Sequence, residues 1–549
     1  MEFESAEECW KTIQESLNVD LLPEIERFAR ENNNPSRIVF GTSGWRGEIG
    51  TDFTFHNIRV VTQAIINTLR NTLRMEDSAI RGALGVRDFD DVRRRGIIVG
   101  HDNRFLGPEF AREVMGMLAS EGIRLYYAGE TTTPELSASI VMRNAACSIN
   151  ITPSHNPSNY SGLKFNPSDG GPAGSEITDV IQAEANALMQ KGGVQGGRGS
   201  AEGIDYEEID TTGLYITFLR SRGTVNLEKV RQFVADADCL IVVDHVHGAT
   251  RKRPERLLGV SGRPGGKLVL LRTEDDFLFG GVAPEPSARN MEGVERVLGA
   301  STSGCRLGVI MDPDGDRIRF ADHAMQIPMN YFGAMALHFL HVHKGVKGIA
   351  VKSVGTSNFV NAIAERHGIA VRETKVGFKN FRPYLLPDAP ERAIVAFEES
   401  DGFSGYNHTL EKDALFALLL AIEMVAFTGK NLSDYLEELM DEYGHYYPDR
   451  SGIEVDRSLV GEPLKKKLSI IRDRYPVGST IQIGDRTFKV KDLITVDGTK
   501  IVLEDGSWLM IRPSGTEPKV RFYIEARTIE EKEAIFKTAA RLTEEAIKA

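Results

Sequence analysis

The segment Asn150-Ile151-Thr152-Pro153-Ser154-His155-Asn156-Pro157 runs from an apolar strand into a loop stiffened by two prolines, which should hold the Ser154 hydroxyl exposed beside an imidazole. A serine hydroxyl is a weak nucleophile and needs help from a base or a metal. His155 is adjacent, and Gly162-Leu163-Lys164 adds a cation able to contact a phosphate or shuttle a proton. No G-x-S-x-G elbow is present, so acyl transfer is not indicated. A second stretch delivers three carboxylates at alternate positions: Leu307-Gly308-Val309-Ile310-Met311 leads into Asp312-Pro313-Asp314-Gly315-Asp316-Arg317. Three hard oxygen donors on a tight turn suit Mg²⁺, which keeps positions open for phosphate oxygen and water. An EF-hand reading fails, because Arg317 and His323 stand where that loop requires glycine and glutamate.

Three weaker elements gain meaning from this company. Arg512-Pro513-Ser514-Gly515-Thr516-Glu517-Pro518-Lys519 follows the strand-like Trp508 to Ile511. A guanidinium fork, two hydroxyls and the amides of a glycine turn make a phosphate cradle, although a polar turn with a solvated arginine reads the same in isolation. Phe397-Glu398-Glu399-Ser400-Asp401-Gly402 closes another apolar run, with His408 and Glu411-Lys412-Asp413 close behind, and carboxylates there can grip sugar hydroxyls. Gly41-Thr42-Ser43-Gly44-Trp45-Arg46-Gly47 is a glycine-rich loop with one arginine.

The elements that must position these groups read as α/β layers. Strand-like runs at Gly96–Gly100, Ala146–Ile151, Leu240–Asp244, Arg306–Asp312, Gly348–Lys352 and Ala393–Phe397 alternate with helical patterns, and several end in polar loops. Ligands of open sheets gather at the carboxyl ends of strands, so these loops are where chemistry is expected. Glycine is dense at Lys191–Ser200, a plausible border, and Ser261–Lys267 reads as a surface turn. From about Ile453 short strands follow one another and a helix begins near Thr528, which indicates a smaller α+β domain.

At 549 residues the chain exceeds one core and should divide into several domains. The 78 acidic against 66 basic residues give a net charge of −12, which disfavours nucleic acid and anionic membranes as partners but permits local phosphate sites. Cys9, Cys147, Cys239 and Cys305 are too scattered for a disulfide framework or a zinc site and suggest a reducing cytoplasm. His245-Val246-His247 and His341-Val342-His343 lack carboxylate or cysteine partners at ligand spacing. No signal-like run opens the chain, and the apolar stretch Ala414–Phe427 has the length of a buried helix; a soluble, cytoplasmic protein is expected.

Taken in order, the five motifs resemble those of the α-D-phosphohexomutase family, from Gly41 to Lys519. The resemblance implies four domains around a central cleft, three α/β with mixed sheets and a smaller C-terminal α+β domain, here 1–205, 206–325, 326–445 and 446–549. It implies that Ser154 is the phosphoserine and a metal ligand with Asp312, Asp314 and Asp316. Arg46, His155 and Lys164 fall near the reacting phosphoryl, with Lys164 or His155 serving as acid and base. Substrate contacts are implied at Arg317, Gly355, Thr356, Lys379, Glu398, Ser400, His408, Lys412, Arg512, Ser514, Gly515 and Thr516. The implied activity interconverts hexose 1-phosphate and hexose 6-phosphate with Mg²⁺ through a hexose 1,6-bisphosphate, in a monomer or homodimer.

Glucose is the expected sugar, because Glu398-Glu399-Ser400, His408, Glu411-Lys412-Asp413 and Val376-Gly377-Phe378-Lys379 resemble the glucose-specific branch. Phe397, Asp401 and Ala414 depart from that pattern and leave phosphomannomutase or dual activity open. A half-turn exchanging C1 and C6 roughly swaps O3 and O4, so a grip on that pair leaves O2, where glucose and mannose differ, unread. Two other classes remain: an aspartate-nucleophile phosphatase built on Asp312 and Asp314, which leaves Ser154 and Arg512 idle, and a non-catalytic sugar-phosphate binder, which has no need of the full chemical set.

Overall fold

The computed structural model describes residues 3–41, 44–71, 78–194, 203–456, 459, 461–514 and 518–548. The chain forms two compact units, Met1–Gln326 with Gly402–Leu432, and Ile327–Asp401 with Ser433–Ala549.

In the first unit, a seven-stranded mixed sheet has the order Phe40–Gly41, Gly44–Glu48, Tyr160–Pro167, Cys147–Ile151, Ile97–His101, Leu125–Glu130, Glu207–Glu208. Ile97–His101 and Cys147–Ile151 are buried throughout, as continuous apolar runs require when helices cover both faces. The strand Tyr160–Pro167 was not foreseen from the sequence. It pairs antiparallel with Cys147–Ile151 and sets Lys164 opposite Asn150. A second sheet aligns Ile318–Ala321, Cys305–Met311, Cys239–Asp244 and Leu268–Leu271, with the central pair parallel. Helix Ala414–Thr428 completes this unit; it is apolar nearly all round, is buried, and is capped by Asp413, which accepts from the Phe416 amide at 2.8 Å. Among the described residues no single helix is long and apolar enough to cross a membrane.

In the second unit, Ile349–Ser353 lies parallel to both Val371–Thr374 and Ala393–Glu398. Phe397, unusual for its motif, is fully buried because Gly333 of helix Met329–His338 leaves room: a Cβ there would lie 2.3 Å from its ring. Asp401 has φ 69°, a left-handed conformation that aspartate tolerates better than most residues. The C-terminal antiparallel sheet orders Tyr447–Glu454, Lys519–Ala526, Trp508–Pro513, Thr499–Leu503, Arg486–Ile494 and Thr480–Ile483, packed against helices Glu462–Arg474 and Ile529–Lys548.

Candidate functional site

The loop after Cys147–Ile151 carries Ser154 in a left-handed conformation, φ 60°, a position a non-glycine residue occupies only when its surroundings hold it. They do so here. The Ser154 amide donates to Thr152 Oγ1 at 3.0 Å, and that hydroxyl donates to Asp102 Oδ2 at 2.6 Å. Arg104, fully buried, donates to the carbonyl oxygens of Ser154, Asn156, Pro157 and Tyr160. The sequence placed Ser154 in the open; the structure buries it at 1 % exposure, because this distant arginine folds the loop inward. Burial pushes the Asp102 carboxyl up to about 6 against the opposing pull of Arg104 and Thr152.

Arg104→Met removes the cation paired with Asp102 and should cost about 3–5 kcal/mol of stability at pH 7, read by urea unfolding. The sign of its pH dependence follows from the carboxyl left behind. Once unpaired, Asp102 takes a proton more readily than in the unfolded chain, so the deficit should shrink as pH falls through its raised pKa.

Asp312, Asp314 and Asp316 form the second half of the constellation. Gly315, at φ 67°, makes the turn: a Cβ there would meet Thr250 at 2.7 Å. Asp312 Oδ1 accepts from the amides of Asp316 and Arg317, both at 3.0 Å. Ser154 Oγ donates to Asp312 Oδ2 at 2.8 Å. Lys164 Nζ lies 2.5 Å from Asp314 Oδ2 and 2.8 Å from Asp316 Oδ2, while Lys412 Nζ reaches Asp316 Oδ2 at 3.1 Å. Carboxylate oxygens of the three aspartates lie within 4.8 Å of one another, all buried. Asp314 Oδ1 and Asp316 Oδ1 have no hydrogen-bond partner among the described residues. Buried acceptors left unpaired are costly, so this hard-oxygen set fits a divalent cation such as Mg²⁺.

Charge is divided unevenly across the triad. Burial, then the Asp316 and Asp314 carboxylates, raise Asp312 well above the usual range. Burial also opposes ionisation of Asp316, but Lys164, Lys412 and Arg317 outweigh it and hold that group well below. Lys164 is itself desolvated, yet the aspartates raise its pKa and keep it an ammonium. His155 Nδ1 lies 3.4 Å from Ser154 Oγ, and burial, followed by Arg317 and Arg46, holds its ring neutral. Arg46 donates to Asn156 Oδ1 at 2.8 Å.

The first unit therefore brings together Ser154, His155, Lys164, Arg46, the three aspartates, Arg317 and Lys412. His408 accompanies them in sequence but stacks on Phe416 at 3.9 Å and bonds to Asp413 at 2.7 Å. Thr133 was missed: its hydroxyl donates to Asp314 Oδ2 at 2.6 Å, and the capping box formed by Thr132 and Glu135 was the signal available for it. His245 bonds to Thr250 at 2.7 Å, while His341 belongs to a ring cluster with His338, His343 and His367.

The second unit gathers the remaining described candidates. Glu398 Oε1 accepts from the Gly377 amide at 2.6 Å, which ties two motifs that sequence could only place in order. Glu399 accepts from Ser353 Oγ at 2.5 Å and Thr356 Oγ1 at 3.2 Å, below Gly355. Ser400 lies in the turn after Ala393–Glu398, and Lys379 in the short helix Phe378–Phe381. Arg512 lies 3.3 Å from Asp497 and donates to Tyr523 Oη at 3.4 Å, and Ser514 follows that strand. Gly515 and Thr516 lie outside the described residues.

Comparison with known proteins bears on these groups. The sequence matches the descriptions "Phosphoglucomutase/phosphomannomutase, alpha/beta/alpha" domain I over residues 37–191, domain II over 214–325 and domain III over 328–443, and the C-terminal domain over 463–542. A phosphoglucomutase/phosphomannomutase of Thermococcus kodakarensis is 28% identical over 82% of this chain and 90% of its own. A phosphoglucosamine/phosphogalactosamine mutase of Sulfurisphaera tokodaii is 26% identical over 89% of this chain and 95% of its own. Among solved structures, a protein of Thermus thermophilus assigned as a phosphomannomutase aligns with TM-score 0.73 at 27% identity, covering 93% of this chain and all of the other. The open form of parafusin from Paramecium, with TM-score 0.71 at 21% identity over 94% of this chain and 95% of its own, shares the fold. Four successive domain matches thus account for most of the chain in family order, and the chain belongs to the phosphoglucomutase/phosphomannomutase family as a phosphohexomutase.

Proposed function

We propose that this phosphohexomutase interconverts glucose 1-phosphate and glucose 6-phosphate through a phosphoserine at Ser154 and a glucose 1,6-bisphosphate intermediate. The observation that carries this reading is the buried Ser154 hydroxyl, 2.8 Å from Asp312 Oδ2 in a network that also holds two lysines. Asp312, Asp314, Asp316 and the Ser154 phosphate would hold Mg²⁺, which supplies neutralisation of charge on the transferring phosphoryl group. In the first half-reaction the bond between phosphorus and the Ser154 oxygen breaks and one to a sugar hydroxyl forms. The hydroxyl proton passes to the neutral His155 ring, and the Lys164 ammonium supplies the proton that the serine oxygen regains. The bisphosphate turns over, and its other phosphate returns to Ser154. Arg46, Arg317 and Lys412 offset the negative charge that gathers there.

In this reading the domains run 1–205, 206–325, 326–445 and 446–549, carrying in turn the serine, metal, sugar and phosphate loops. Glu398 and Ser400 grip the sugar, aided by Gly355, Thr356 and Lys379, while His408 serves to position Asp413. Arg512, Ser514, Gly515 and Thr516 hold the distal phosphate. The tie from Glu398 to Gly377 supports the glucose preference, because it joins the two motifs that resemble the glucose branch.

The test is isomerisation of glucose 1-phosphate beside mannose 1-phosphate, with Mg²⁺, a trace of glucose 1,6-bisphosphate and free phosphate monitored. Isomerisation of glucose without phosphate release is expected. Faster turnover of mannose would reverse the sugar assignment, and phosphate release alone would favour the aspartate-nucleophile reading. Arg512→Ala should raise KM by about tenfold or more with a smaller change in kcat, since a charge-assisted phosphate contact is lost in ground and transition states alike.

A further inference from the structure

Three buried polar groups of the C-terminal sheet have no part in the chemistry above: Lys500 at 1 % exposure, and Trp508 and Glu525 at 0 %. Burying an ammonium and a carboxylate is unfavourable unless each is satisfied, so where their bonds go is informative. All of them converge on one loop. Lys500 Nζ donates to the Val354 carbonyl oxygen at 2.9 Å and lies 4.1 Å from the Trp508 ring centroid. Trp508 Nε1 donates to Glu525 Oε1 at 2.8 Å. Glu525 accepts the Asn358 amide on both oxygens, at 3.0 and 3.1 Å, and so caps helix Phe359–Arg366, whose own N-cap side chain makes no capping bond.

These ties bracket Gly355 and Thr356. From the other side, Lys352 Nζ donates to the carbonyl oxygens of Thr356 and Ser357 at 3.1 and 3.0 Å. Tyr523 closes the underside: a Cβ on Gly355 would lie 3.4 Å from its ring. Strand alternation links the arrangement to the phosphate site. Trp508, Met510 and Arg512 share one face of Trp508–Pro513, and the first two pack with Val354 and Tyr523, whereas Leu509 and Ile511 turn into the C-terminal core.

We infer that Lys500, Trp508 and Glu525 are positioning residues that fix the Gly355–Thr356 loop in register with Arg512, so that sugar and distal phosphate are held by one rigid backing. The inference rests on the proposed substrate role of that loop. Burial, reinforced by Lys352 and opposed by Glu373, Glu525 and Glu399, brings Lys500 down to about 8. Its charge, and with it the strength of the bond to Val354, should therefore fall as pH rises through that value.

The test compares Glu525→Gln and Trp508→Phe with the wild type by amide hydrogen exchange and steady-state kinetics on glucose 1-phosphate. Faster exchange at residues 354–359, with KM raised about tenfold and kcat within about twofold, is expected. Lys500→Met should also abolish a rise in KM above pH 8 that Lys500→Arg, which stays charged, likewise lacks while keeping a near-normal KM. Unchanged exchange in both variants would overturn the positioning role. Faster exchange with unchanged KM would overturn the link to substrate and trace the failure to the assignment of Gly355 and Thr356. Exchange raised throughout the C-terminal sheet would reduce the three residues to general stability.

Discussion

Ser154→Ala should lower mutase turnover by at least about four orders of magnitude while leaving the fold intact, because the hydroxyl that carries the phosphoryl group at that position is gone. The side chain adds little to stability: its oxygen makes one bond to Asp312 and lies 3.4 Å from His155. The left-handed backbone at this position is held by the Thr152 hydroxyl and by Arg104, neither of which depends on the serine oxygen. Thermal unfolding should therefore change little, and sugar-phosphate binding should persist in the inactive variant. Turnover within tenfold of wild type would remove Ser154 from the reaction.

Lys164→Met is the second large effect, and it acts on charge. The ammonium lies between Asp314 and Asp316, and its loss leaves two buried carboxylates facing one another, with Lys412 still beside Asp316. Breaking such a buried pair costs about 3–5 kcal/mol. The melting temperature of the metal-free variant should fall accordingly. Mg²⁺ should then raise it by more than in the wild type, because the ion no longer competes with Lys164 for the same oxygens. Turnover should fall about 100-fold or more even at saturating Mg²⁺, because the ammonium that returns a proton to the serine oxygen is gone. A melting temperature that does not respond to Mg²⁺ in either protein would argue against a metal at the triad.

How much of this was legible in sequence depends on how local each signal was. The serine loop and the aspartate turn are contiguous, and apolar strands announce both, so the order of residues alone suffices to name Ser154 and the triad. The strand carrying Lys164 was hidden, since Gly162 and the polar residues around it interrupt the alternation that marks a strand. Burial of Ser154 depends on Arg104, whose guanidinium crosses 50 residues to reach the loop. The meeting of Lys412 with Asp316 and of Thr133 with Asp314 is likewise tertiary, and no spacing rule encodes it. Phe397 illustrates the reverse case. It looked like a flaw in its motif, and the compensating Gly333 lies on a helix 64 residues earlier.

What decides the mechanism is which side chain carries the phosphoryl group. The enzyme should be incubated with Mg²⁺ and glucose 1,6-bisphosphate, quenched, digested and mapped for phosphopeptides, and the phosphorylated pool then chased with glucose 1-phosphate. One acid-stable phosphate on the peptide containing Ser154, discharged into sugar bisphosphate by the chase, is the predicted result. An acid-labile phosphate on the peptide containing Asp312, or a Ser154 phosphate that the chase cannot remove, would contradict it.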